Sequence, residues 1–260
     1  MNGKSFFVDL TLCTACRGCQ VACKQWKDLP AEQTRNFGSH QNPADLSHQT
    51  LRLVRFNEGR DKKGKLRWHF FPDQCRHCIE PPCKYMLNMY RHDAVTQDSA
   101  TGAVVYNEAV RLGKGNGLTP EQICPYNVPR KNQETGQWTK CDMCADRLDM
   151  GLKPACVTAC PTGTMNFGDR EAMLELAEKR LAEVQKTRPD AFLADPESVR
   201  VIYLADSQAQ DFHTHLIADA GQKAKILAQA RPRKQSRREF LTGRFSFGTP
   251  AENKDARRKI

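Results

Sequence analysis

Two stretches in the first third of the chain alternate between apolar and polar residues as β-strands do. They are "TLRLVRF" (50–56) and "KLRWHFF" (65–71), and the polar turn sequence "DKKG" (61–64) lies between them. Successive side chains of a strand point to opposite faces, so this alternation predicts two strands, and the turn predicts a hairpin. The preceding "NFGSHQNPADLSHQ" (36–49) is expected to be a polar loop.

Residues 168–189, "GDREAMLELAEKRLAEVQKTRP", carry the period of an amphipathic helix. Apolar residues recur at positions 173, 174, 177, 181 and 184, which fall on one face of a helix. Asp169 is placed to be the N-cap, and Pro189 lies past the end. The later "VRVIYLAD" (199–206) predicts a buried strand. We expect this helix and strand, within residues 171–215, to pack on the rest of the protein.

The sequence does not predict a membrane-spanning segment or a signal peptide. No apolar run approaches the roughly 20 residues that a membrane-spanning helix needs. The N-terminal "MNGKSFFVDLTLCTAC" lacks the apolar core of a signal peptide. "SRREFL" (236–241) matches a twin-arginine motif in letters, but such signals are read at an N-terminus. We expect no membrane span and no cleavable export signal in this chain.

Positive charge is concentrated near the C-terminus. The formal net charge is +10, and residues 231–260 carry ten Lys or Arg against three Asp or Glu, a local charge of +7. The other 230 residues therefore carry only +3, which does not support a nucleic-acid-binding surface. We expect residues 216–260 to be a flexible, basic, solvated tail. The alternative is a docking arm for an acidic partner or a membrane surface.

Twelve cysteines, far more than packing requires, lie between positions 13 and 160. Three groups begin at Cys13 ("CTACRGCQVAC"), Cys75 ("CRHCIEPPC") and Cys141 ("CDMCADRLDMGLKPACVTACP"), and Cys124 stands alone before a proline. The first group has the C-x2-C-x2-C-x3-C spacing of bacterial ferredoxins, in which the fourth cysteine ligates a different [4Fe–4S] cluster from the first three. Disulfides and structural zinc are the alternatives. Four cysteines within eleven residues fit both poorly.

The ferredoxin rule assigns every cysteine to a cluster. Four thiolates per cluster divide twelve cysteines into three clusters with none left over, and each closely spaced trio takes its fourth ligand from a distant position. The predicted ligand sets are Cys13, Cys16, Cys19 and Cys160 (site A); Cys23, Cys141, Cys144 and Cys156 (site B); and Cys75, Cys78, Cys83 and Cys124 (site C).

A fourth cluster is missing from an otherwise paired arrangement. Its cysteines would fall at about positions 87, 114, 117 and 120, where the sequence has Leu87, Lys114, Gly117 and Pro120. These positions form the ligand set of one cluster, so a whole site has been lost beside an intact site C. For a chain of clusters to stay continuous, the lost cluster should be the terminal one.

The cysteine motifs resemble those of the iron–sulfur electron-transfer subunits that accompany molybdopterin oxidoreductases. The resemblance rests on "CTACRGCQVACKQW", "FPDQCRHCIEPPC", "CPYNVPR" and "KCDMCADRLDMGLKPACVTACPTGTMNFGD", and it covers roughly residues 4 to 206. Most members of that family are similar to a doubled ferredoxin with four clusters. The three-cluster order seen here resembles the beta subunits of soluble tungsten- or molybdenum-dependent formate dehydrogenases. The chain departs from that type after about residue 215, in its basic extension.

The resemblance implies a non-catalytic electron-transfer subunit with three [4Fe–4S] clusters. A catalytic alpha subunit, holding a tungsten or molybdenum bis-pterin guanine dinucleotide centre, would interconvert formate and carbon dioxide in a heterodimer or larger complex. A c-type cytochrome is an expected acceptor. The resemblance favours the periplasm, reached with the partner's twin-arginine signal, with the cytoplasm as the alternative.

The ligand pairing makes the predicted α+β fold discontinuous along the chain. Residues 1–34 and 131–170 would form one ferredoxin-like lobe with two clusters, and residues 69–130 a second lobe with one. Residues 35–68 would link the lobes through a loop and a strand of the bridging hairpin. The C-terminal helix and strand (171–215) and the basic tail (216–260) complete the prediction.

Two other functions remain open from the sequence. The same electron relay could serve a different molybdopterin oxidoreductase, or the chain could be a stand-alone polyferredoxin. No recognisable nucleophile motif surrounds the scattered histidines, so an enzyme with its own substrate site is not indicated.

Overall fold

A mixed four-stranded sheet organises the part of the chain that the computed structural model describes, residues 3–60, 64–107, 111 and 117–218. The strands are β1 Lys4–Asp9, β2 Leu53–Arg60, β3 Leu66–Asp73, β4 Val95–Gln97, β5 Val104–Tyr106, β6 Arg130–Lys131, β7 Trp138–Thr139, β8 Met165–Asp169, β9 Phe192–Ala194 and β10 Val201–Ala205. The helices are α1 Gly18–Trp26, α2 Pro82–Tyr90, α3 Pro120–Ile123, α4 Ala145–Asp149, α5 Ala155–Thr158, α6 Arg170–Gln185 and α7 Ala209–Phe212. All described residues belong to one unit, Met1–Ala230.

The main sheet has the order β8-β1-β10-β9, and its two faces meet different partners. Side chains alternate between the faces of a strand. Phe7 and Ile202 therefore pack with Ala177 of α6 on one face. Phe6 and Tyr203 point to the other face, where they join buried cysteines such as Cys19. The sheet thus separates a supporting helix from the cysteine-bearing segments.

The predicted helix and strand after the last cysteine are confirmed. The apolar stripe of α6 is buried at Ala177 and Val184, as the period predicts. Asp169 is at the N-cap position, but its carboxylate accepts a hydrogen bond from Lys4 Nζ at 2.7 Å and makes none to the helix backbone. The strand β10 lies beside β1 in parallel inside the sheet, with all its residues buried.

The predicted hairpin is confirmed and runs further than the alternation indicated. β2 and β3 pair antiparallel from Leu53 opposite Asp73 to Arg60 opposite Leu66. The strand β3 therefore crosses the predicted boundary at residue 68 and ends two residues before Cys75. The hydroxyl of Tyr203 donates to the Pro72 carbonyl at 2.8 Å, which fixes this end of the hairpin to the main sheet.

Small elements surround the middle cysteine group. The helix α2 begins with Pro82 at a position where the missing N–H costs no intrahelical bond. The hairpin β4–β5 and the short helix α3 follow, and all three elements contribute to one apolar cluster.

Three sequence predictions lie wholly or largely outside the described residues: the tail, apart from residues 216–218, the position of Lys114, and the turn at 61–64, apart from residue 64. Within the described part of the chain, no helix is both long enough and apolar enough to cross a bilayer.

Candidate metal centres

The four cysteines predicted for site A line one cavity. Cys13 follows a short 3-10 helix, Cys19 lies in the first turn of α1, and Cys160 comes two residues after α5. The apolar side chains of Met165, in the main sheet, and of Val54, in the hairpin, form part of the cavity wall. Segments separated by well over a hundred residues thus converge on this cavity.

The four cysteines predicted for site C line a second cavity. Cys83 lies at the start of α2, and Cys124 is the C-cap residue of α3. The isolated Cys124 therefore meets the group that lacked a fourth cysteine. Pro81, Pro82, Pro125 and Pro129 also line the cavity.

The four cysteines predicted for site B are all buried. Helices α1 and α5 pack together, which brings Cys23 toward Cys156. Cys156 and Cys144 both act electrostatically on Cys23, and Cys23 and Cys144 act on Cys141. The set predicted from the spacing is therefore drawn from α1, α5 and the loop before α4.

One local geometry recurs in the three cysteine loops. The residue two positions after the first cysteine of each group, Ala15, His77 or Met143, has a positive φ of 54°, 46° or 66°. This left-handed turn points its backbone N–H back at the sulfur, at 3.4 Å for both His77 to Cys75 and Met143 to Cys141. Ala15 makes the corresponding backbone bond to Cys13. N–H groups aimed at sulfur stabilise negative charge there.

Burial makes most of these thiols hard to ionise in the absence of a cation. It raises the pKa of Cys23 and Cys124 to about 12 and that of Cys13 and Cys156 to about 11. Burial also opposes ionisation of Cys160, but backbone N–H groups of Met165 and Thr162 bring its pKa below the usual value. Metal ligation requires thiolates, so a metal would have to supply the compensating charge and displace the protons.

Site B adjoins both other sites. Cys156 of site B lies in one cluster of buried residues with Cys19 of site A, and Cys141 of site B lies in another with Cys75 of site C. These clusters connect the three sites in the order A, B, C.

The described residues do not bring ligands together in the way a single metal ion requires. Within that part of the chain, no three His, Cys, Asp or Glu side chains converge as a single-ion site. The cysteines of sites A and C instead line the walls of two cavities.

The described positions among those predicted for a lost fourth cluster lie in ordinary secondary structure or turns. Leu87 is 2% exposed, within the apolar cluster that includes Met86, Ile123 and Trp138. Pro120 begins α3, where Thr119 and Gln122 form a capping box. Gly117 has a φ of +63°, with open space around its Cα.

Three buried cations near the cysteines were not found by sequence reasoning. Arg52 is 1% exposed, and both Arg76, which is 2% exposed, and Lys140, which is 6% exposed, line site C. Alternation along "TLRLVRF" gave no sign that Arg52 is buried, because arginine in a strand usually faces water. Lys140 directly precedes Cys141, and that adjacency was its only sequence signal.

Comparisons with known proteins agree with this chemistry. Residues 66–170 match the family model described as a 4Fe-4S dicluster domain. The chain is 49% identical over 213 residues to the "Formate dehydrogenase 2 subunit beta (cytochrome c-553)" of Nitratidesulfovibrio vulgaris, covering 82% of this chain and 97% of that protein. It is 50% identical over 216 residues to the "Formate dehydrogenase subunit beta" of Megalodesulfovibrio gigas, covering 83% and 99%. It is 37% identical over 193 residues to the nitrate-inducible formate dehydrogenase iron-sulfur subunit of Escherichia coli, covering 74% and 63%.

Proposed function

Since the chain belongs to the family of formate dehydrogenase beta subunits, which are iron–sulfur electron-transfer proteins, we propose that sites A, B and C each hold one [4Fe–4S] cluster. The observation that carries the proposal is the lining of the two cavities. Site A and site C are each walled by the four cysteines that the ferredoxin rule assigns to them, including the distant Cys160 and Cys124.

The chain's own residues fit such clusters. When bound, [4Fe–4S] clusters supply one-electron transfer chemistry at potentials that hydrogen bonds to sulfur and solvent exclusion tune. The thiolates would attach each cluster, and the left-handed turns at Ala15, His77 and Met143 would direct N–H groups at sulfur. The burial of seven of the twelve cysteines would limit the access of water to the clusters.

The order of the sites supports a linear relay. Site B lies between A and C, so electrons would enter at one end and leave at the other. The lost fourth cluster would have lain beyond site C, where Leu87 and its apolar neighbours are found. Losing a terminal cluster shortens the relay, whereas losing an interior cluster would open a gap in it.

The relay would serve a catalytic alpha subunit. We propose that this partner carries the tungsten or molybdenum bis-pterin centre at which formate and carbon dioxide are interconverted, and that the two chains form a heterodimer or a larger complex. One relative's name includes cytochrome c-553, which supports a c-type cytochrome as the acceptor. A cytochrome acceptor also favours the periplasm, with export on the partner's signal.

The ligand sets also support the two-lobe organisation. Residues 1–34 with 131–170 would surround sites A and B, and residues 69–130 would surround site C. The hairpin would bridge the lobes.

The test is purification of the native complex without oxygen. Co-elution with a much larger chain, formate-dependent reduction of the iron–sulfur signals, and three spin-counted clusters in this subunit are expected. A count of two or four clusters would contradict the ligand sets. Elution without a partner would favour a stand-alone polyferredoxin, and a partner active on another substrate would favour a different oxidoreductase.

A further inference from the structure

Arg52 places a buried positive charge beside both site A and site B. Its side chain is 1% exposed, immediately before β2. Nη2 donates to Met165 Sδ at 3.0 Å, and Met165 lines site A. The thiols of Cys19 (site A) and Cys156 (site B) both act electrostatically on the guanidinium. A single guanidinium is therefore shared by two neighbouring cysteine sites.

No carboxylate among the described residues neutralises this charge. Nη1 donates to the neutral amide oxygen of Gln74, and Nε has no hydrogen-bond partner there. Arg55, three residues later, shows the usual arrangement, since it pairs with Asp73 at 2.7 Å and Asp45 at 2.6 Å. A buried guanidinium without a counter-charge is costly, so its surroundings should supply negative charge. The cysteine sites are what lies beside it.

The neighbouring cysteine sites would meet that requirement when they hold clusters, because each ligating thiolate carries negative charge. Arginine keeps its charge in proteins, so this cation is fixed.

We propose that Arg52 is the shared counter-charge of the clusters in sites A and B and raises the reduction potentials of both. This inference rests on the proposed function. A one-electron reduction adds one negative charge to a cluster, and a fixed neighbouring cation in a low-dielectric interior stabilises the reduced form. No proton needs to move with the electron. Arg52 thus acts on electron transfer through its charge, which would make the clusters of both adjacent sites easier to reduce.

The experiment is a redox titration of the anaerobically purified complex, followed by electron paramagnetic resonance. In Arg52→Gln, two of the three clusters should become harder to reduce by at least tenfold in the equilibrium constant, which is about 59 mV for one electron. The cluster of site C is the internal reference and should keep its potential. Arg52→Lys retains the charge and should restore most of the shift.

Arg17 provides a matched control, because it is an arginine that lies near site A but is not fully buried. It also lines site A but is only half-buried, so Arg17→Gln removes the same charge from a position that water screens. Its effect on the site A potential should be clearly smaller than that of Arg52→Gln. Unchanged potentials in a fully loaded Arg52→Gln protein would overturn the inference. So would an Arg52→Lys shift as large as that of Arg52→Gln, or an equal shift in Arg17→Gln.

A second measurement tests the inference if Arg52→Gln does not bind its iron–sulfur clusters. Wild-type protein labelled with guanidino-15N arginine should show 15N couplings to reduced clusters in pulsed resonance spectra. Labelled Arg52→Lys should lose the coupling that Arg52 contributes and keep only those of other arginines that line the sites, such as Arg17 and Arg76. A spectrum that is unchanged in Arg52→Lys, or no coupling in the wild type, would overturn the inference. A wild-type complex without three clusters would instead contradict the proposed function, and the inference with it.

Discussion

Cys83 and Leu87 lie one helical turn apart on α2 and pack in the same apolar cluster. Cys83 also lines site C, whereas Leu87 is 2% exposed and contributes only to the apolar packing. Residues four apart share a helix face, so a cysteine at position 87 would also have faced the cysteine-bearing side. The protein has apolar packing where a doubled ferredoxin would place its fourth cluster.

Leu87→Ala should destabilise the protein by about 2–5 kcal/mol, because it removes buried methyl groups and leaves a cavity. The midpoint of thermal unfolding, measured without oxygen, should fall by several degrees. Tyr85→Ala on the same helix is the control, since Tyr85 is 48% exposed and its loss should have little effect. Equal changes in the two variants would show that Leu87 does not contribute to a core.

Cys124→Ala should remove the cluster of site C and leave sites A and B loaded. Cys124 is the only one of the four site C cysteines that comes from outside residues 75–83. Iron and sulfide analysis should fall by about one third, since one of three four-iron clusters is lost. Spin counting should show which signal disappears. Full iron content in Cys124→Ala would refute the assignment of the isolated cysteine.

Lys140→Gln should lower the reduction potential of site C. The Lys140 ammonium donates to the Cys141 carbonyl at 2.9 Å, lies 4.8 Å from the centre of the Tyr106 ring, and lines site C. Loss of its charge should make the site C cluster harder to reduce, as measured by the same titration. Lys140→Arg, which retains the charge, should lie closer to the wild type. A lower potential at site A alone would contradict the placement of Lys140.

His213 should make folding stability fall as the pH falls from about 6.5 toward 4. Burial, followed by the charge of Arg55, lowers the pKa of His213 to about 4, against an ordinary value of 6.5. The neighbouring Asp73 acts in the opposite direction, and His215 and Arg76 contribute smaller lowering effects. Between these two pKa values the unfolded chain binds the proton and the folded protein does not. Lowering the pH from 7 to 5 should therefore cost about 2 kcal/mol through this group.

His213→Phe tests that dependence. The ring stacks on Phe71 with centroids 5.8 Å apart, and phenylalanine can keep that contact without titrating. Thermal unfolding at pH 7 and pH 5.5 should show a smaller difference in the variant than in the wild type. Some dependence should remain, because the pKa values of His69 and His215 are lowered as well. The same pH difference in both proteins would exclude His213 as its source.

The locally encoded elements could be predicted because their signals are short-range. The period of α6 and the alternation in the hairpin depend on residues a few positions apart. The sequence did not predict the end of β3 or the strand β9. A short strand is stabilised more by pairing with its neighbour than by its own composition. Asp169 was placed correctly, but its carboxylate turns to Lys4, a residue remote in sequence.

The cysteine spacing alone indicated the kind of cofactor, and it predicted three clusters and a pairing for Cys124. Spacing suffices because a cube with four attachment points restricts which thiolates can share it. The order of the sites and the burial of Arg52 and Lys140 were decided only by tertiary structure. Those features depend on which distant segments pack together, and a charged residue in a strand pattern carries no local sign of the environment that will surround it.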